Sequence, residues 1–427
     1  METETPRKEL LIKLRESFMS NENKTVCVIG LGYIGLPTAA LLANSGYQVV
    51  GVDINQSAVN TINKGDIHIV EPDLHHHVKN AVINGSLKAV TKPQVADIYM
   101  ICVPTPFYKE NDIPTPNLEY VESAADSIKS LIKEGDMVIL ESTSPVGTTR
   151  AIRNILKESK IDVEKISIAY CPERVLPGKI MHELVNNDRI IGGVNKKSTD
   201  DVSIFYETFV NGEVLKTSDK TAEMCKLAEN SFRDINIAYA NELSMLCDNN
   251  EIDVWELIGL ANRHPRVDIL QPGTGVGGHC IAVDPWFIVS KDPECSKIIR
   301  KAREVNDSKP EWVVEKIMRE VKDISEKEGY QPKVACLGLS FKPNIDDLRE
   351  SPAVLVVNRL LDLGINVVSV EPNINEHSKF KLSSFDDSLD ADIIVILVKH
   401  QEFISKESKE KLMHVNSLDF CGAMLAP

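Results

Sequence analysis

Residues 24–53 read KTVCVIGLGYIGLPTAALLANSGYQVVGVD. The apolar, β-branched run 25–29 has the composition of a buried strand, residues 36–46 have helical composition, and 47–53 form a second strand-like run. Pro37 is compatible with the helix because it falls in the first turn, where its missing N–H has no intrahelical partner. Between strand and helix lies Gly30-x-Gly32-x-x-Gly35. Glycines in that context permit a tight turn and let backbone approach a pyrophosphate, whose charge meets the helix N-terminus. Asp53 closes the second strand, where a carboxylate accepts hydrogen bonds from a ribose 2′-OH and repels a 2′-phosphate. NAD is therefore expected in preference to NADP, with Gly30, Gly32, Tyr33, Ile34, Gly35 and Asp53 as its cofactor-binding residues.

The alternation continues outward. ADIYMICVPTP (96–106), LEYVESAADSIKSLI (118–132), DMVILEST (136–143) and KISIAYCPE (165–173) read as strand, helix, strand and strand, predicting a parallel sheet covered on both faces. Thr105 and Thr143 fall at carboxyl ends of strands, where open sheets bind ligands; capping or turn formation by their hydroxyls is the competing reading. This domain is assigned to residues 24–215, after an N-terminal extension, 1–23. That extension is polar and lacks the apolar core of a signal peptide, and the sequence has no apolar stretch long enough to span a bilayer, so a cytoplasmic protein is expected.

Residues 216–325 change to a helical period. Lys226, Asn230 and Arg233, spaced four and three apart, share one helix face. Further helix is expected over 251–261, followed by the glycine-rich QPGTGVGGHC (271–280). Residues 326–427 return to alternation, with KVACLGLSFKP, SPAVLVVNRLLDLG, INVVSVEPN and ADIIVILVK following the element order of the first domain without repeating its fingerprint. The predicted fold class is α/β, two Rossmann-like domains joined by a helical one, an arrangement in which ligands commonly occupy a cleft at the domain boundary.

Lys plus Arg total 48 against 63 Asp plus Glu, a net charge of -15, which argues against a nucleic-acid partner. The nine cysteines show no CxxC spacing, and several lie in strand-like runs where thiols are inert. His75-His76-His77 are adjacent and cannot all face one ion on a helix, so no metal is expected. Cys280 stands apart, ending a glycine-rich loop whose backbone N–H groups can face an anion or a developing oxyanion. Asp284 shares its face if the segment is helical, although Asp284-Pro285 can equally mark a helix end or start.

A thiol has a specific use in hydride-transfer chemistry. Taking a primary alcohol past the aldehyde needs an adduct that can lose a second hydride; a thiolate gives a thiohemiacetal, then a thioester that water hydrolyses. Lys226 and Asn230 can stabilise the oxyanion of that adduct, and Glu173, beside Arg174, can orient the water. The competing readings are a solvated helix face for the first pair and a surface ion pair for Glu173 and Arg174.

VIGLGYIGLPTAALLA, STSPVGTT, AYCPERVLPG, KLAEN, PGTGVGGHCIAVDPWF and GLSFKPNIDDLRESPA together resemble the UDP-glucose/GDP-mannose dehydrogenase family, in its order and across nearly the whole chain. The resemblance implies an N-terminal Rossmann domain, a central helical dimerisation region and a C-terminal UDP-binding domain. It implies Cys280 as nucleophile, Lys226 as general acid/base and oxyanion partner, Asn230 as its assistant, Glu173 and Asp284 as handlers of water and protons, and Thr143 near the reacting carbon. For substrate it implies Arg174, Val175, Lys226, Asn230, Arg233, His264, Arg266, the backbone at Gly277, Tyr330 and Lys342, and it implies Arg349 as a residue reaching the cofactor or substrate. Without it, His264 and Arg266 read as a polar loop after a helix. GGHCIAVDPWF is most similar to the branch acting on UDP-N-acetylmannosamine. UDP-N-acetylglucosamine or UDP-glucose, one two-electron oxidation instead of two, and a non-catalytic NAD-regulated binding protein are the alternatives. A homodimer or higher homo-oligomer is also implied.

Overall fold

Alternate side chains of each strand in the first half enter different cores, as strand geometry requires. In β1 (Thr25–Ile29), Val26 and Val28 join one buried cluster while Cys27 and Ile29 join another on the opposite face of the sheet. The computed structural model describes residues 24–108, 113–278 and 280–425; the expected extension 1–23 lies outside them. The described residues form two compact units that part after Ala228.

In the first unit, β2 (Gln48–Val52), β3 (Leu87–Val90), β4 (Ile98–Ile101), β5 (Met137–Leu140), β6 (Ser167–Tyr170), β7 (Arg189–Gly193) and β8 (Val214–Ser218) join β1 in one eight-stranded sheet, ordered β8-β7-β6-β5-β4-β1-β2-β3. The order reverses at β1 and β4, whose carboxyl ends are therefore neighbours and form the crevice where such sheets take ligands. One pairing corrects the expectation of an all-parallel sheet: β7 runs antiparallel to β6. Hydrophobic periodicity marks strands but carries no information about their direction.

A 31-residue helix, Asp219–Asn249, runs from the first unit into the second. The second unit adds the helices Val254–Ala261, Asp284–Lys291 and Lys297–Glu328, the last with Pro310 inside it. Its sheet is wholly parallel, with β9 (Lys333–Leu337), β10 (Asn366–Val370), β11 (Ile393–Ile396) and β12 (Ser417–Asp419) ordered β10-β9-β11-β12. Val334 and Cys336 enter one core, Ala335 and Leu337 the other. Among the described residues, no helix is long and apolar enough to cross a membrane.

Candidate active site

The three fingerprint glycines are required for three different reasons. Gly30 has φ +93°, and a Cβ on it would lie 2.6 Å from the Cys102 carbonyl oxygen. A Cβ on Gly35 would lie 1.7 Å from the Gly30 carbonyl oxygen, so the helix can begin where it does only without a side chain there. At Gly32 a Cβ would meet nothing within 4 Å among the described residues, which leaves bare backbone facing open space. The helix Gly35–Asn44 starts immediately, and among the described residues no side chain caps it. One Asp53 oxygen accepts the Leu31 N–H (3.1 Å) and the other the Asn55 N–H (2.9 Å), holding the turn while leaving lone pairs for a ribose. Bare backbone, an uncapped helix start and an acid at the strand end fit NAD. Next to them, Thr105 Oγ1 donates to the Thr143 carbonyl (2.6 Å), tying the segments that follow β4 and β5.

Lys226 is held from two sides within the first unit. Its Nζ donates to the Glu173 backbone carbonyl at 2.6 Å. One turn earlier on the same helix, the buried Glu223 carboxylate accepts from Gly147 N, Thr149 N and Thr149 Oγ1, clamping the helix to the STSPVGTT segment. The Glu173 carboxylate is buried too, accepting the Arg174 N–H (2.6 Å) and Arg189 Nη1 (2.9 Å), with Arg189 itself 2% exposed. The competing reading of Glu173 and Arg174 as a surface ion pair is corrected by the burial of Glu173, whose charge is met by the equally buried Arg189. Glu141, buried beside this pair, accepts from the Tyr206 hydroxyl (2.5 Å) and the Cys102 thiol (3.3 Å). Burial and then the Glu173 charge push its carboxyl well above the ordinary range, outweighing the pull of Arg189 and the Tyr206 hydroxyl. Burial likewise pushes the strand thiols up, Cys27 to about 11 and Cys171 to about 12, keeping them inert.

Cys280 lies elsewhere in the chemistry of the fold, half-buried on the turn before the helix Asp284–Lys291. Asp284-Pro285 is a helix start: the Asp284 N–H donates to the Cys280 carbonyl (2.8 Å), and Pro285 occupies the first turn. The buried Asp284 carboxylate accepts Asn230 Nδ2 at 2.5 Å, so Cys280, Asp284 and Asn230 are brought together within the second unit. Asn230 stands one helical turn beyond Lys226 on the same helix.

Gly277 and Gly278, before Cys280, serve packing. A Cβ on Gly277 would lie 2.4 Å from the Glu350 carbonyl oxygen and 2.9 Å from Phe341 Cβ, and one on Gly278 would lie 2.8 Å from the Phe341 ring. Gly278 N donates to the Arg349 carbonyl (3.3 Å) and Thr274 Oγ1 to the Leu397 carbonyl (2.7 Å). The loop thus lies flat on the segment 341–352 that follows β9, and the expectation that its glycines serve an oxyanion is corrected for Gly278, whose N–H is already bonded. At the other end Asn241, fully buried, accepts Gly273 N (2.9 Å) and donates to Asn306 (2.9 Å).

The remaining residues divide. Lys342 and Arg349 lie exposed on that same segment, with the Arg349 guanidinium paired to Asp347. His264 and Arg266 are exposed on a loop that Asn262 clamps by exchanging two hydrogen bonds with Ile269, and Arg233 is exposed on the long helix. Val175 packs against the first unit's core. Tyr330 stands apart from Lys342: its hydroxyl donates to Asp392 (2.7 Å), which also accepts Lys333 N, so it sits where β9 and β11 begin, at the opposite end of the sheet. Glu223, Asn241, Asn262 and Arg189 escaped the sequence because their partners are remote in the chain or ordinary backbone, and no spacing announces them.

A dinucleotide-type crevice with an acid at its strand end in the first unit, and in the second a half-buried cysteine whose carbonyl is held by the Asp284 of an Asn–Asp pair, suit a nucleotide-dependent dehydrogenase. Three family models of the UDP-glucose/GDP-mannose dehydrogenase family match: its NAD binding domain over residues 24–210, its central domain over 220–308 and its UDP binding domain over 335–423. The UDP-N-acetyl-D-mannosamine dehydrogenase of Campylobacter jejuni is 54% identical over 406 residues, covering 91% of this chain and 98% of its own. The NDP-N-acetyl-D-galactosaminuronic acid dehydrogenase of Ralstonia nicotianae is 52% identical over 395 residues, covering 89% of this chain and 92% of its own. The solved structure of UDP-D-ManNAc dehydrogenase from Pyrococcus horikoshii has a TM-score of 0.84 and 37% identity, covering 94% of this chain and 96% of that one. The chain belongs to the UDP-glucose/GDP-mannose dehydrogenase family and is an NAD-dependent UDP-sugar dehydrogenase.

Proposed function

We propose that the chain is a UDP-N-acetyl-D-mannosamine 6-dehydrogenase, carrying the C6 hydroxyl to the carboxylate in two oxidations. The observation that carries the chemistry is the Cys280–Asp284–Asn230 cluster, whose Asn230 lies one turn from Lys226. The near-full-length identity to the C. jejuni enzyme supports the sugar.

NAD, bound at the fingerprint, supplies the hydride acceptor for both oxidations. Lys226 spends one N–H on the Glu173 carbonyl and keeps two for the substrate oxygen. When the Cys280 sulfur adds to C6 of the aldehyde, a C–S bond forms and the carbonyl pair becomes an oxyanion, met by Lys226 Nζ and Asn230 Nδ2. Asp284 holds the Cys280 carbonyl through its N–H and the Asn230 amide through its carboxylate, which fixes the spacing of nucleophile and oxyanion donor. After the second oxidation, water adds to the thioester, the C–S bond breaks and the carboxylate leaves. Thr143 and Glu173 belong to the same end of the first unit's sheet. Arg174, Arg233, His264, Arg266 and Lys342 are assigned to the UDP-sugar, guanidinium forks suiting a diphosphate.

A homodimer is part of this reading. Phe232, Tyr239 and Leu246, at steps of seven residues along the long helix, are 70%, 52% and 51% exposed, an apolar stripe suited to a second copy of the same helix. Sedimentation of Tyr239→Glu should show a monomer where the parent chain shows a dimer. A cytoplasmic location follows from the UDP-sugar and NAD it uses.

A panel of UDP-N-acetylmannosamine, UDP-N-acetylglucosamine, UDP-N-acetylgalactosamine and UDP-glucose, read by NADH absorbance, tests the sugar. The highest kcat/KM is expected for the first; a higher value for any other reassigns the substrate.

A further inference from the structure

The second unit contains a buried acid–imidazole pair that the proposed chemistry does not use. Glu371 directly follows β10 and is 5% exposed. Its Oε2 accepts from Leu339 N (2.7 Å), Ser340 N (3.0 Å) and His400 Nε2 (3.1 Å), while Oε1 accepts from Asn373 N (3.1 Å) and Nδ2 (3.0 Å). His400, 1% exposed, accepts at Nδ1 from the Asn344 backbone N–H (2.9 Å) and from Asn373 Nδ2 (3.2 Å). A ring nitrogen that accepts two N–H bonds carries no proton, so these contacts assign the imidazole proton to Nε2, directed at Glu371.

Both ends of one short segment are thereby fixed. Leu339 and Ser340 hang from Glu371, and Asn344, at φ +61°, hangs from His400, with its Oδ1 accepting the next amide, Gln401 N (2.8 Å). Between the two ends, Ser340 Oγ donates to the Lys342 carbonyl (2.8 Å). The pinned residues include Lys342, and Phe341 is the floor on which Gly277 and Gly278 of the Cys280 loop lie.

We propose that His400 and Glu371 are positioning residues for the UDP-sugar, acting through the segment 339–344 that they hold at both ends. Neither touches substrate. The proposal rests on the reading that this segment, through Lys342, belongs to the UDP-sugar site.

His400→Leu removes the tie to Asn344 but leaves Glu371 with four N–H bonds, so the domain keeps its buried acid satisfied. His400→Asn restores an acceptor near the place of Nδ1. Initial rates on the full chain should show the KM for UDP-N-acetylmannosamine rising about tenfold in His400→Leu, the loss of roughly one hydrogen bond. The KM for NAD should stay within about twofold, and His400→Asn should recover most of the loss. Amide exchange over 339–344 should quicken in the leucine variant alone. An unchanged sugar KM, a parallel rise in both KM values, or an asparagine variant as impaired as the leucine one each overturns the proposal. Lys342→Ala, measured alongside, separates the two readings: if it leaves the sugar KM unaltered, Lys342 is not a substrate residue, and the histidine comparison still decides the role of the lock.

Discussion

The two sheets open with the same turn and put it to opposite uses. Gly30-Leu31 follows β1, and Gly338-Leu339 follows β9; both glycines have φ +93°, and each donates its N–H to the last residue of the neighbouring strand, Val52 and Val370. In both, the next acid, Asp53 or Glu371, accepts the leucine N–H. The halves then diverge. After Leu31 come Gly32, with open space beside it, and a helix that begins at Gly35 without a side-chain cap among the described residues. After Leu339 come Ser340, whose N–H is taken by Glu371, a long segment, and a helix beginning at Pro352 whose start is capped by Ser351. Asp53 keeps lone pairs for a ligand, whereas Glu371 is saturated by His400 and its neighbours. One fold thus yields an open diphosphate cradle in the first unit and, in the second, a closed turn that presents side chains such as Lys342.

The largest effect on this contrast is expected from Gly35→Ala. Its Cβ would collide with the Gly30 carbonyl, so the variant should lose several kcal/mol of stability, about 3 or more, and its NAD binding with it, as read by thermal unfolding and titration. Gly32→Ala sharpens the point, because the added methyl meets no protein: thermal stability should be nearly unchanged while the KM for NAD rises about tenfold. Equal damage to stability at both positions would erase the distinction between packing glycine and ligand-facing glycine. Asp53→Asn should cut the preference for NAD over NADP by roughly one to two orders of magnitude, with stability altered little; an unchanged ratio would remove Asp53 from the ribose site.

The smallest effect concerns pH. Burial opposes ionisation of Glu371, but hydrogen bonds from His400, Leu339 N and Ser340 N outweigh it and hold the carboxyl at about 2, below the ordinary 4.5. A depressed folded value contributes stability above the ordinary value and loses it as pH falls from about 4.5 toward about 2, on the order of 3 kcal/mol across the window. Urea unfolding from pH 6 to pH 3 should show this limb in the parent and a flatter one in Glu371→Gln. The same slope in both proteins would place the acid sensitivity elsewhere.

Much of this was legible in the residues. Strand, turn and helix over 24–53 carry short-range signals, and so do the second alternating region and the helix bearing Lys226, Asn230 and Arg233. Cys280 announced itself by its glycine-rich loop, although Gly277 and Gly278 are demanded by contact with Phe341 and Glu350, over sixty residues away, which no local pattern encodes. The direction of β7 was not legible, because its apolar run is the same read either way. Pro310 sits inside a 32-residue helix, where local rules would place a break. Tyr330 enters by family resemblance alone and lies ahead of β9, at the end of the sheet away from Lys342. The networks around Arg189, Glu223, Asn241 and His400 join residues distant in the chain, and only the fold brings them together.

In the proposed reaction Cys280 retains the half-oxidised carbon so that a second hydride can leave. The most direct test of this role is the yield of NADH from a limiting amount of UDP-N-acetylmannosamine, with the acid product quantified beside it, in the parent chain and in Cys280→Ala. The parent should give two NADH and one carboxylate per sugar, and the variant no carboxylate despite NAD binding of parental strength. Two NADH per sugar from Cys280→Ala would contradict it.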